Sequence, residues 1–384
     1  MGVEIVCAGS AHAAEWPSTE DGEYARRVLV PLMTEGVRPF IENVGAQQHA
    51  AIVDGAVLPI TIPAPRGSEP ESYVASPTTQ YVDYARREVE LEIRDRRSLR
   101  LLSVPLIGAA SALARATRLD QAVLVNNWLV STNLYPEIDL NAIRSLLSNL
   151  VERWPDRAIV FRSVNDALTR DLLEVLEAER GRAVFSRQVW ILDPSRDLGF
   201  RRMKSFARDV AIAGRSSSNW RRVDEPADVD VDRIKALYDA LYIEKYSSLN
   251  PQFTRRFVEC AIAERWLDVH VLETGSRLDA VVGFFLRNGV MTTPFIGYDT
   301  ERPQSDGLYR RISLKLIDEA AARGAVLHQS SGAAAFKRHR GAWPSIEYHV
   351  VFDRHLPVHR RAGWMVLGSI GRRILVPAVR RYNL

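Results

Sequence analysis

The chain has 384 residues, 46% of them apolar and 26% charged, with a formal net charge of +4. Such a composition excludes a mainly disordered chain, and the length suits about two domains. The charge is uneven: Arg354 to Leu384 holds seven Arg and no Asp, Glu or Lys, which leaves residues 1–353 at a net of −3. The basicity that suggests an acidic partner therefore belongs to the tail and not to the whole chain. Cys7 and Cys260 are the only cysteines. They make neither a disulfide framework nor a zinc site, no metal site is expected, and a reducing cytoplasm fits best. The start MGVEIV carries an acid and no basic n-region, so a secretory leader is not expected. No apolar run reaches the ~20 residues of a spanning helix.

Taken in order, Tyr24 to Leu32 is a short helix, and His49–Val53 and Val57–Ile62 are a hairpin across Asp54-Gly55. A charged loop, PAPRGSEPES, leads to a helical stretch from Thr78 to about Arg118, broken near Val104-Pro105. Ala122–Val130 then has strand length. Leu140–Trp154 is an amphipathic helix, Arg157–Phe161 a strand, Asp166–Arg180 a helix capped by Asn165 or Asp166, and Ala183–Leu192 a strand. That alternation is α/β. A junction falls between Asp193 and Asn219. The second half opens with a strand at Trp220–Val223 and helices at Val231–Tyr246 and Pro251–Ala263. Three strands follow, Val269–Glu273, Leu278–Arg287 and Val290–Tyr298, turning at Thr274-Gly275 and Asn288-Gly289. Helix Gly307–Arg323, strand Ala325–Gln329, a short helix at Ala333–Arg338 and strand Ile346–Phe352 complete it.

This order, with Phe295-Ile-Gly-Tyr-Asp299, Gln304-Ser-Asp-Gly307, Ser331-Gly332 and Phe336-Lys-Arg-His-Arg-Gly-Ala342, resembles the GNAT acyltransferase fold. Within it the chain is most similar to the two-domain Fem peptidyltransferase type. The resemblance covers about 170 residues of the second half, and the first half shares its strand-helix grammar. It implies a GNAT-like mixed sheet flanked by helices, in two tandem GNAT-like domains: 1–195, 196–353, and a basic-apolar tail at 354–384. It also implies an acyl donor bound where two strands splay, its pyrophosphate held by a Q/R-x-x-G-x-G/A loop at a helix N-terminus. Gln304 and Gly307 match that loop. Tyr309 puts a ring where the pattern has a small residue, and Asp306 either sets a negative charge beside the pyrophosphate or caps the helix. The loop thus points away from coenzyme A and towards aminoacyl-tRNA, the donor often used in the Fem type. Arg310, Lys337, Arg338 and Arg340 would then meet tRNA phosphates, although Arg310 and Arg311 also read as a solvated helix face.

In the first half, Ser131-Thr-Asn-Leu-Tyr135 and Arg162-Ser-Val-Asn165 follow strands, where α/β sheets place ligands. Asn133, Tyr135, Arg162 and Asn165 are the candidate acceptor site; capping is the other reading of Ser131 and Asn133. A guanidinium directly after Ile159-Val-Phe161 needs a carboxylate, a phosphate or water, and Arg187-Gln188 raises the same question. For the chemistry, His328 or Asp299 is a candidate base and Tyr298, Tyr309 or Tyr348 a proton donor. A satisfied core histidine and a turn-forming aspartate are the alternatives.

The tail interleaves Arg pairs with Trp364, Leu367, Ile370 and Ile374. It reads as docking on the body, touching tRNA, or lying on an anionic membrane surface. The expected activity is amide formation on a small amine acceptor, with no tightly bound cofactor and an aminoacyl-tRNA or acyl-CoA donor. A membrane-associated acyltransferase of envelope or lipid metabolism and a non-catalytic GNAT-fold binding protein are the alternatives. A dinucleotide oxidoreductase is disfavoured by the absence of G-x-G-x-x-G after a strand.

Overall fold

A computed structural model describes residues 2–65, 67, 71–84, 86, 108–195, 198–215 and 217–382. The expected break near Val104-Pro105 lies outside the described residues. The first half supplies β1 (Val3–Val6), β2 (Ala46–Val53), β3 (Ala56–Pro63), β4 (Ala122–Val125), β5 (Ala158–Asn165) and β6 (Arg182–Leu192). The second supplies β7 (Asn219–Arg222), β8 (Asp268–Thr274), β9 (Arg277–Arg287), β10 (Val290–Tyr298), β11 (Val326–His328) and β12 (Trp343–Phe352). All join one mixed sheet in the order β1-β2-β3-β4-β5-β12-β6-β11-β10-β9-β8-β7. The last strand of the second half therefore sits between two strands of the first. Neither 195/196 nor 353/354 falls between separate sheets.

Local chemistry explains the pieces. Asp54 (φ 45°) and Gly55 (φ 89°) close the β2–β3 hairpin, and Asn288 (φ 48°) with Gly289 (φ 69°) closes β9–β10. Helix α1 (Glu20–Thr34) starts on Thr19, whose hydroxyl accepts from Gly22 N–H at 3.1 Å. Helix α2 (Ile143–Arg153) buries Ile143, Leu146, Leu147 and Leu150, and α3 (Arg170–Ala178) buries Leu172 and Leu176. Helix α3 begins four residues later than expected. Asn165 is not its cap; its Oδ1 accepts from Ala167 and Leu168 N–H and closes the turn before it.

In the second half, α4 (Lys204–Gly214) is followed by α5 (Val231–Asp239) and α6 (Arg255–Ala263), capped by Asp230 and Thr254. Then come α7 (Leu308–Ala322) and α8 (Ala334–Arg338). Helix α5 lies hard against β10: a Cβ on Gly297 would stand 2.6 Å from backbone atoms of Leu237 and Tyr238. One apolar cluster joins Val28, Leu29 and Leu32 of α1 to Phe257, Trp266 and Phe285, so the halves share a core. Trp266 Nε1 donates to Arg27 O and Tyr24 OH to Trp266 O across the same contact.

The tail is helical: α9 (Val358–Ile370), a π turn at Gly371–Leu375, and α10 (Val376–Tyr382). The glycines that weaken helix propensity are the docking seam. Gly363, Gly368 and Gly371 face Thr117, Arg182 and Phe185, and Trp364 is buried between them.

Candidate active site

Strand β4 is half the expected length. It stops at Val125 because Asn126 (φ 56°) and Leu129 (φ 60°) turn left-handed, which is rare for a leucine. Side-chain amides hold the turn. Asn133 Oδ1 accepts from Trp128 N–H at 2.8 Å, and Asn127 Oδ1 from Leu129 N–H at 3.2 Å. Strand β5 runs four residues past the expected Phe161, to Asn165, through a bulge at Ser163 (φ 58°). Ser163 Oγ accepts from Asn133 Nδ2 at 3.1 Å, so the two irregular segments lock together. Left-handed non-glycine residues also occur at Ser330 and Ala333 after β11. Concentrated strain of this kind is found at ligand sites.

These segments enclose a cleft of about 380 Å³. Asn133, Tyr135 and Asn165 line it from the first half, and Arg287, Asn288, Val290 and His328 from the second. Four of the expected site residues thus meet across the two halves. Their polar atoms are largely spent on the scaffold, however. Asn133 braces the turn, and Tyr135 OH donates to Arg162 O at 2.7 Å. Arg162 is not on the cleft wall. It is buried in the strand, where Nη1 donates to Val74 O at 2.7 Å and Asn127 Oδ1 at 2.5 Å. Its Nη1 is taken up by these carbonyl oxygens, and burial, opposed in part by the charge of Glu347, pushes its pKa down to about 10.

His328 differs from these. It is buried, and its Nδ1 accepts Ser330 N–H at 3.1 Å, which places the ring proton on Nε2. That Nε2 has no hydrogen-bond partner and stands 4.0 Å from Glu347 Oε2. Burial, with Arg187 and Lys337 nearby, pushes the pKa down to about 3, so the ring is neutral at pH 7. The expected base is therefore a fixed donor, because its free lone pair is already used.

Behind it lies a pair that the sequence reading half missed. Arg187 Nε donates to Glu347 Oε1 at 2.8 Å, and the same guanidinium reaches Ser131 O, Thr132 Oγ1 and Ser330 Oγ. Arg187 drew notice in the sequence; Glu347 did not, although an acid inside the apolar run Ile346–Phe352 was the visible signal. Arg287 was missed too. It is buried in a bidentate pair with Asp21, at 2.5 and 2.7 Å.

The other candidate catalytic residues lie elsewhere. Asp299 pairs with Arg233 at 2.8 Å and accepts Glu301 N–H, the turn-forming role. Tyr298 ends β10 with its ring 6.3 Å from that of Tyr309. Tyr348 lines a separate groove beside the tail helix.

On the donor side, β10 and β11 pair only over Val290–Thr292 and Val326–His328. Beyond a bulge between Thr292 and Phe295, β10 continues to Tyr298 with β9 alone, so the two parallel strands part. Gln304 is exposed, Gly307 is left-handed (φ 63°), and α7 starts directly after it. Asp306 is ion-paired with Arg302 and does not cap α7 by its side chain. The Tyr309 ring lies 4.8 Å from Phe336, and burial pushes its pKa up to about 12.

Most of the expected phosphate ligands are consumed internally. Arg340 and Arg310 both pair with buried Asp209. Lys337 Nζ donates to Gln329 O at 2.6 Å and Ser331 O at 2.8 Å, tying down the left-handed loop, and burial lowers its pKa to about 7. Arg338 alone of this cluster is exposed.

The chain superposes on FemX with a TM-score of 0.52, over 91% of this chain and 100% of that one at 9% identity. The fold is GNAT-like and similar to that of FemX. The structure of L-PGS from Bacillus licheniformis aligns with a TM-score of 0.47 at 13% identity, over 66% of this chain and 84% of its own. A tandem GNAT protein from the clavulanic acid biosynthesis pathway aligns at 0.42 and 11% identity, over 93% and 99%. No protein-family model matches the sequence, and no curated protein matches it. Alignment with FemX over nearly all of this chain includes the first half, where the sequence resemblance is weakest.

Proposed function

We propose that the protein forms an amide by transferring an acyl or aminoacyl group to a small amine held in the cleft. The observation that carries this reading is His328, a neutral buried residue on the wall of a cleft built by both halves, whose Nε2–H has no hydrogen-bond partner. The amine nitrogen adds to the donor's carbonyl carbon. The bond from that carbon to the carrier then breaks, and the nitrogen's proton leaves with the carrier's oxygen or sulfur. In between, the carbonyl oxygen carries negative charge, and a fixed N–H stabilises it without reorganisation. A depressed imidazole pKa suits a donor, since the ring stays neutral through the step. Asn133, Ser163 and the Arg187–Glu347 pair position the walls rather than react.

The donor in this reading is an aminoacyl-tRNA. Lys337 and Arg340 are spent inside, but Arg201, Arg202, Lys204 and Arg208 form an exposed basic ridge at the start of α4. The Asp209–Arg340 pair ties that ridge to α8, where Arg338 is exposed. Guanidinium groups so placed suit phosphates. A second reading, an acyl-CoA donor, is favoured by Arg302, which neutralises Asp306 at the mouth of α7. Incubation with charged total tRNA or acetyl-CoA and a panel of primary amines, followed by mass spectrometry, tests both. A new amide that vanishes with ribonuclease supports the first. An acetylated amine that survives ribonuclease replaces it with the second. No amide from either donor favours a binding protein.

A further inference from the structure

Independently of the catalytic reading, the tail helix shows an outer face that docking does not explain. Its inner face is sealed: a Cβ on Gly371 would stand 2.9 Å from Phe185 Cβ. Outward, Ala362, Val366, Ile370 and Ile374 recur every fourth residue with Met365 beside them. Met365, Val366 and Ile370 are each 41% exposed and Ile374 is 60% exposed. A fourth-residue repeat drifts around an ordinary α-helix. The wider π turn at Gly371–Leu375 counters the drift and keeps Ile374 near the stripe.

Beside this helix, between it and α3, β6 and Tyr348, runs a groove of about 610 Å³. Seven arginines line it, against two carboxylates, Asp166 and Glu177. Arg170, Arg180, Arg354 and Arg372 make no ion pair among the described residues. Arg182 and Arg361 share Asp353 at 3.5 and 3.9 Å, and the Nε of each is buried with no hydrogen-bond partner. Guanidinium forks in this arrangement fit phosphate oxygens.

We propose that this face lies on an anionic phospholipid bilayer. The aliphatic stripe enters the acyl boundary, and headgroup phosphates fill the arginine groove. No helix among the described residues is long and apolar enough to cross a membrane, so the contact lies in the plane of the interface. A nucleic acid shares the phosphate chemistry but has no use for an aliphatic stripe; strand-binding surfaces offer aromatic rings for stacking. A second copy of the chain docking by two-fold symmetry would set the two arginine arrays against each other.

Co-sedimentation of the full chain with phosphatidylcholine vesicles, with and without about a third phosphatidylglycerol, tests this. Binding is expected only to the mixed vesicles. Arg354→Ala and Arg372→Ala should each lower partition about fivefold. Ile370→Asp combined with Ile374→Asp should abolish it. All four side chains are exposed, so thermal unfolding should not change. Equal binding to neutral vesicles, or binding indifferent to the aspartates, overturns the proposal. So does a dimer in sedimentation velocity that the aspartates dissolve. Thermal stabilisation by glycerol phosphate without vesicle binding marks a soluble phosphate ligand instead. Binding of tRNA that is lost with the arginine variants but kept with the aspartates marks a nucleic-acid site.

Discussion

Buried histidines set part of the chain's response to acid. Burial pushes His49 down to about 4 and His328 to about 3, and holds His349 well below its ordinary range. The unfolded chain takes up these protons near pH 6.5 while the folded chain excludes them. Their contribution is therefore complete above pH 6.5 and drains away as the pH falls through 4. Urea midpoints measured between pH 7 and 4 should fall steadily, and His49→Gln should flatten part of that fall. A flat profile in the wild type contradicts the assignment. At this scale the sequence marked residues that meet in space, but not the hydrogen bonds they make. Asn133 and Tyr135 do line a cleft, yet they spend their polar atoms on Trp128, Ser163 and the Arg162 carbonyl. Residue type and position cannot reveal which partner a side-chain amide has already taken.

Elements were legible wherever local signals agree. Asp54-Gly55 and Asn288-Gly289 set two hairpins as expected, and the apolar spacing of α2 set its buried face. Strand ends were less legible, because the left-handed turn at Asn126 and Leu129 is held by side-chain amides of Asn127 and Asn133, and Ser163 by a contact from Asn133 in another segment. Close approach between elements is where a single methyl group should matter most. Gly297→Ala pushes into the α5 backbone and Gly371→Ala into the Phe185 backbone and Cβ. Each should cost about 1–3 kcal/mol by overpacking. Lower urea midpoints at unchanged m-values would show it. Gly36→Ala is a useful contrast, since it has a left-handed φ but open space around its Cβ, and its cost should come from the backbone alone.

For the whole molecule, the sheet order could not be read from the sequence. β12 pairs with β5 and β6 across a separation of more than 150 residues, and no local pattern encodes such a pairing. A chain stopped at Ala342 would leave facing edges on β5 and β6 unpaired. It should therefore lose the first half as well as the second, giving insoluble protein rather than a folded N-terminal unit. Recovery of a soluble fragment with native-like unfolding would contradict a shared sheet. The same strand carries Glu347 to Arg187 and brings both beside His328, so the cleft exists only when the halves are joined. The most direct measurement of the proposed chemistry is the rate of amide formation by His328→Ala beside the wild type, at matched thermal stability. Loss of one oxyanion donor should lower kcat by about 100- to 1,000-fold, with the amine's KM changed far less. A variant that turns over as fast as the wild type would contradict the account.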